Sequence, residues 1–196
     1  MFRIRALVWE SGERIPVQAV MLCTGHSARD VFEMLQRAGL DIQAKPLAMG
    51  VRVEHPQAWI NHWRYRRGSS FTEGWPPASY AVVEQVGGRG VYSFCMCPGG
   101  TVVAATSEIG RVVTNGMSQY SRNERNANAG IVVGITPEQD FPGGPLAGIE
   151  LQEQLESHAY VLGGSSYAAP AQLVGDFIAG RPSTSLGSVE PSYKPG

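Results

Sequence analysis

The sequence predicts an α+β chain in which a mostly antiparallel β lobe with peripheral helices follows a short strand-turn-helix edge. Three observations carry this. Short apolar stretches separated by Gly and Pro turns fill the chain from Ile42 to about Ile135. Helical spacing of apolar residues occurs only near the start and in the last third, and there is no internal repeat.

The first element reads as a hairpin. Ile4, Ala6 and Val8 alternate with Arg3, Arg5 and Leu7, Ser11-Gly12-Glu13 supplies a turn, and Val17 to Thr24 is almost continuously apolar. An unbroken apolar run of that kind reads as a strand buried on both faces. Ser27 is placed to cap the next helix, with Asp30 three residues on, while Val31, Leu35 and Ala38 form its stripe and Gly39 stops it.

In the middle part, Ala48 to Val53 reads as a strand, His55 to Tyr65 as a short helical or irregular stretch, and Gly68 to Pro77 as a loop. Ser79 to Val86, a Gly87-Gly88 turn, Tyr92 to Cys97, a Pro98-Gly99-Gly100 turn and Val102 to Thr106 read as an antiparallel meander, with further strands at Arg111 to Thr114 and Ile131 to Val133.

The last third is helical and then irregular. Leu151, Leu155, Ala159 and Leu162 share one helical face and Glu150, Glu153 and Glu156 another, whereas Leu173, Val174, Phe177 and Ile178 mark a second helix ending at Gly180. Helices are therefore expected near 146–162 and 170–179. Residues 181–196 hold Pro, Ser and Gly without periodicity and are expected to be an extended tail that frays. The organisation expected is an edge element over 1–41, a β-rich lobe over 42–180 and the tail.

A chain of 196 residues, 43% hydrophobic, can bury the core of one domain or of one domain plus a lobe. Its net charge of −1 argues against nucleic acid as a main partner, since phosphate binding needs clustered excess cations. One basic cluster, Arg64, Arg66 and Arg67 beside Trp63 and Tyr65, admits either RNA stacking or a solvated loop anchor. No apolar run reaches bilayer length and no signal-peptide pattern opens the chain, so a soluble, cytoplasmic protein with no membrane partner is expected. Cys23, Cys95 and Cys97 cannot all pair, and reduced thiols are expected.

Two blocks concentrate Gly, Cys and Met: Gly90 to Gly100 (GVYSFCMCPGG) and Val113 to Ser118 (VTNGMS). Together with Leu22 to Asp30 (LCTGHSARD), they resemble the uncharacterised FAD-dependent dehydrogenases, relatives of two-domain flavoproteins with a substrate-covering insertion. The resemblance runs from about Gln18 to the last residue. It implies an α+β fragment of an α/β FAD-binding flavoprotein, because no Gly-x-Gly-x-x-Gly follows a first strand and the family's late glycine-rich block is absent.

Within that resemblance, Thr24 and Gly25 are expected to touch FAD, since glycine lets backbone approach a dinucleotide without a Cβ. His26 either hydrogen-bonds there or is satisfied by local backbone. Cys97, Pro98, Gly99 and Gly100 are expected to form a wall facing flavin or substrate, with a redox dithiol at Cys95 and Cys97 and a plain core-and-turn role as the other readings. Asn115 and Gly116, with the polar run Tyr120 to Asn128, either contact substrate or flavin or cap loops; Asn and Arg suit a polar or carboxylate substrate through forked hydrogen bonds, and surface loops use the same residues for turns. No metal site is expected, because His26, His55, His62 and His158 lack paired ligand spacing.

The function expected is that of a partial FAD-dependent oxidoreductase acting on a small-molecule substrate. FAD would bind the intact family member and not be retained by this chain, which by itself would be inactive. Exposed strand edges would favour self-association. The competing class is a non-enzymatic β-rich interaction module that presents Trp59 to Trp75 to a partner.

Overall fold

The computed structural model describes residues 4–65 and 75–196. Arg66, Arg67 and most of the Gly68 to Pro77 loop lie outside the described residues. The chain divides into two units, residues 1–41 and 42–196.

In the first unit, β1 (Ala6–Val8) pairs antiparallel with β2 (Arg14–Pro16), and α1 spans Arg29–Arg37. The second strand of the hairpin is therefore Arg14–Pro16, not Val17 to Thr24. That run has no regular secondary structure and is largely exposed, Met21 by 88%. Apolar continuity reports a need for burial but supplies no hydrogen-bonding partner, and β1 is already paired in register with β2. The expected Ser27 cap is also corrected: Ala28 is the N-cap and no side chain caps the helix, while Ser27 Oγ lies 3.4 Å from His26 Nε2. The helix end is as read. Gly39 takes φ +78°, and the N–H groups of Gly39 and Leu40 donate to the Gln36 and Leu35 carbonyls, the paired bonds of a Schellman stop.

The second unit is built on an antiparallel sheet of order β3-β8-β5-β4: β3 (Leu47–Pro56), β4 (Val83–Val86), β5 (Arg89–Cys97) and β8 (Asn126–Ile135). A separate ribbon pairs β6 (Gly100–Ala104) with β7 (Thr114–Ser118). The meander is thus corrected: β8 inserts beside β5, and β6 leaves the sheet. Two local features turn the chain away, a bulge between Phe94 and Cys97 with Cys95 at φ +48°, and the turn at Gly99, also at φ +48°. The Arg111 to Thr114 strand is corrected as well; Arg111 is drawn instead to Glu108 and to Glu153 of the following helix. Asn115–Ser118 and Asn126–Asn128 are strand residues rather than loop.

Helix α2 (Gln57–Tyr65) follows β3 directly and packs on β3 and β8, while the ribbon packs on β5 and β8. The core lies around β8, where residues 126–130 are all buried, with Ile60, Ala78, Cys97 and Val112. Helix α3 spans Ala147–Leu162 and α4 Val174–Ile178, shorter than 170–179. The α3 stripe is partly reversed: Leu162 is 73% exposed and Leu155 is exposed, because Arg111 recruits Glu153 to the protein side. The tail is extended but does not fray. Ser192 N–H donates to the Glu54 carboxylate and Ser192 Oγ accepts from Val102 N–H, Glu190 pairs with Arg125, and Ala169 bridges Pro195. Its polar residues find partners on β3, β6 and β8 that lie too far off in sequence for periodicity to register.

Among the described residues no helix is long and apolar enough to cross a membrane.

Candidate functional site

The alternation of a strand and the register of the sheet decide which side chains meet. Glu54 faces Asn128, which faces Cys97, and two residues along Arg52 faces Gly130, which faces Phe94. Cross-strand partners project to the same side. Arg52, Glu54, Asn128 and Cys97 therefore share one face of the sheet, while Val53, His55, Ala127 and Ala129 share the other.

On the first face the ribbon closes over a polar cluster. Arg52 Nη1 donates to Asn128 Oδ1 at 2.7 Å and to the Cys95 carbonyl at 3.3 Å, and Arg52 Nη2 donates to Asn115 Oδ1 at 3.2 Å. Gly116 lies directly over these groups: a Cβ there would overlap Asn128 Oδ1 and come within 2.9 Å of Cys97 Sγ. Asn128 is wholly buried and, among the described residues, its Nδ2 has no partner. The guanidinium fixes the amide orientation, since the reverse would set donor against donor.

Cys97 Sγ donates to the Cys95 carbonyl at 3.3 Å, and burial, ahead of the Cys95 thiol nearby, pushes the Cys97 thiol above its ordinary value. A thiol held protonated is a poor nucleophile. Gly99 N–H donates to Gln57 Oε1 at 2.6 Å, and Ser118 Oγ donates to the Pro98 carbonyl at 2.8 Å. The room left by Gly99 and Gly100 is taken by the chain itself, at the backbones of Arg122 and Met117 respectively. The structure thus brings Cys97 to Gly100 together with Asn115, Gly116 and Asn128 of the polar run, and adds Arg52 and Gln57.

On the opposite face His55 Nε2 lies 2.9 Å from Tyr80 Oη, and its Nδ1 is buried without a partner among the described residues. Burial lowers the His55 pKa, with its own backbone and Glu54 opposing. Thr24, Gly25 and His26 belong to the first unit and are exposed; Gly25 has φ +80° and nothing within 4 Å of where a Cβ would stand. Trp59, Trp63 and Trp75 are exposed, with Tyr65 edge-on to Trp75 at 5.0 Å. Among the described residues no group of three or more His, Cys, Asp or Glu side chains is disposed to hold a metal.

Sequence reasoning named neither Arg52 nor Gln57 as a site residue. The available signal was an Arg inside the apolar strand Met49 to Val53 and Asn126-Ala127-Asn128 running straight into Gly130 to Val133: polar residues at alternate positions of strands imply a polar face.

The chain is 50% identical over 189 residues to a protein of Clostridium beijerinckii (strain ATCC 51743 / NCIMB 8052) described as uncharacterized, covering 95% of this chain and 35% of that relative. It therefore spans about a third of the length of the curated relative it matches. Residues 46–196, the whole of the sheet, ribbon and α3-to-tail region, match one family throughout, and the chain belongs to it: FAD-dependent protein, C-terminal domain-like.

Proposed function

We propose that this chain is the substrate-covering lobe, with the edge of the FAD-binding domain in residues 1–41, of a cytoplasmic FAD-dependent dehydrogenase acting on a small molecule. The observation that carries the reading is the convergence of Cys97 to Gly100 with Asn115 and Gly116 on a sheet face that holds the guanidinium of Arg52, inside the region matched to a flavoprotein family. FAD, when bound, takes up the hydride or electrons of the substrate. Arg52, Asn115 and Asn128 orient the substrate, and Cys97 stays a protonated wall rather than a relay. Thr24, Gly25 and His26 face the cofactor; the open backbone at Gly25 fits that role, whereas the filled glycines at 99 and 100 do not offer a cradle.

On this reading most flavin contacts lie outside the third of the relative's length that this chain matches, so the 196 residues alone should purify colourless. A longer polypeptide carrying a glycine-rich turn upstream and a flavin-binding block downstream should be yellow, and Gly25→Val in it should weaken FAD retention by crowding the backbone approach. A longer polypeptide that stays colourless and does not bind added FAD would overturn this reading in favour of an interaction module. The exposed Trp59 and Trp63 on α2 are the observation that supports that second reading.

A further inference from the structure

We propose that Arg52 and Asn128 form a recognition site for a carboxylate group on the substrate, an inference that rests on the oxidoreductase reading above. The argument is one of unmatched donors. Arg52 carries a full charge, yet its three hydrogen bonds go to neutral oxygens, those of Asn128, Asn115 and Cys95. Among the described residues no carboxylate lies within ion-pairing distance of it. Glu54, on the same face, is taken by Asn126 and Ser192 instead.

A guanidinium has five N–H donors. Three are used, which leaves Nε–H and one hydrogen of Nη2. The buried Nδ2 of Asn128, bonded through the amide carbon to an oxygen 2.7 Å from the guanidinium, adds two more donors with no acceptor among the described residues. Leaving such a donor unmade inside a protein is expensive unless something else accepts from it. The open hydrogens of Arg52 and Asn128 are thus all donors, and Arg52 brings a positive charge, while the Glu54 carboxylate is occupied by Asn126 and Ser192. The complementary group is acceptor-only and anionic, and a planar carboxylate offers about four lone-pair sites to forked donors. Asn115 is exposed, so the Nη2 end of the guanidinium is where such a group would enter. Purely structural use of Arg52, joining the ribbon to the sheet, explains the three bonds made but not the donors left open.

The test needs no flavin, so its failure is separate from failure of the oxidoreductase reading. The side-chain N–H signals of Arg52 and Asn128 are followed by nitrogen-15 NMR in the 196-residue chain during titration with sodium acetate, with acetamide as a neutral isostere and inorganic phosphate as a second anion. Saturable shifts of both side chains with acetate and none with acetamide are expected. Arg52→Met should weaken acetate binding about tenfold or more, the loss of a charge-assisted fork. Should that variant unfold, Asn128→Asp is the second probe: it places the protein's own carboxylate on Arg52 and should abolish the acetate response while the chain stays folded. Signals that acetate leaves unmoved overturn the proposal, as does an acetate response that survives Asn128→Asp. Phosphate binding about tenfold tighter than acetate also overturns it, reassigning the site to a phosphate such as that of the cofactor.

Discussion

Gln57 and Gly99 are joined by a 2.6 Å hydrogen bond from the glycine N–H to Gln57 Oε1, which ties the first residue of α2 to the turn that carries the chain from sheet to ribbon. Gln57 Nε2 also donates to the Ala78 carbonyl at 2.9 Å and to Asn61 Oδ1 at 2.8 Å, and the side chain is buried. Replacing it with Leu removes all three bonds and leaves buried groups unpaired, each worth about 1–3 kcal/mol. Gln57→Leu should therefore lower stability by roughly 2–4 kcal/mol in urea unfolding. A change indistinguishable from zero would show that the bond does not organise the turn.

Gly99 and Gly88 both have positive φ, yet their surroundings differ. A Cβ at 99 overlaps the Arg122 backbone, while at Gly88, φ +79°, nothing lies within 4 Å. Gly88→Ala should cost only the left-handed strain of about 1–2 kcal/mol. Gly99→Ala adds backbone displacement and should lose clearly more. Gly116→Ala meets side-chain atoms of Asn128, Arg52 and Cys97, so overpacking of about 1–3 kcal/mol is expected. Equal losses at 88 and 99 would contradict the packing described for the turn.

Stability should fall at both ends of the pH scale. Burial holds the His55 pKa below its ordinary 6.5, so as pH drops through 6.5 the unfolded chain takes up the proton first. His55 thus contributes stability above 6.5 that is lost as pH falls toward its folded value. For Cys97 the shift is upward from 9.0, so its contribution is full below 9.0 and disappears as pH rises through the folded value. Comparing unfolding free energies at about pH 7.5 and about pH 5.5, His55→Gln should flatten the acid limb. An acid limb unchanged in that variant would assign it to other groups.

How much of this was legible depended on where each partner lies in sequence. The Gly39 and Gly180 helix stops and the Gly87-Gly88 turn were readable because all their hydrogen bonds are local. The run Val17 to Thr24 misled because hydrophobicity fixes no strand partner. Glu153 misled because Arg111, 42 residues away, overrides its helical phase. The glycines and Cys97 of the candidate site announced themselves by composition, whereas Arg52 acquires meaning only when the register sets it two pairs from Asn128 on the same face, 76 residues on.

The cysteines give the last prediction. Cys23 and Cys95 are exposed, and Cys97 is buried under the ribbon with its thiol donated to the Cys95 carbonyl and held protonated. Alkylation requires both access and thiolate, and Cys97 has neither. Iodoacetamide applied to the native chain should therefore label Cys23 and Cys95, with Cys97 reacting only after denaturation, as read by peptide mass spectrometry. Cys95→Ser should leave Cys97 protected, because the bond that holds it goes to the backbone of residue 95 and not to its side chain. Gly116→Ala, in contrast, pushes on Cys97 Sγ from the ribbon and should speed its labelling. Rapid labelling of Cys97 in the native wild-type chain would mean that the ribbon does not close over the sheet, and the contact of Asn115 on the ribbon with Arg52 beneath it would fall with that result.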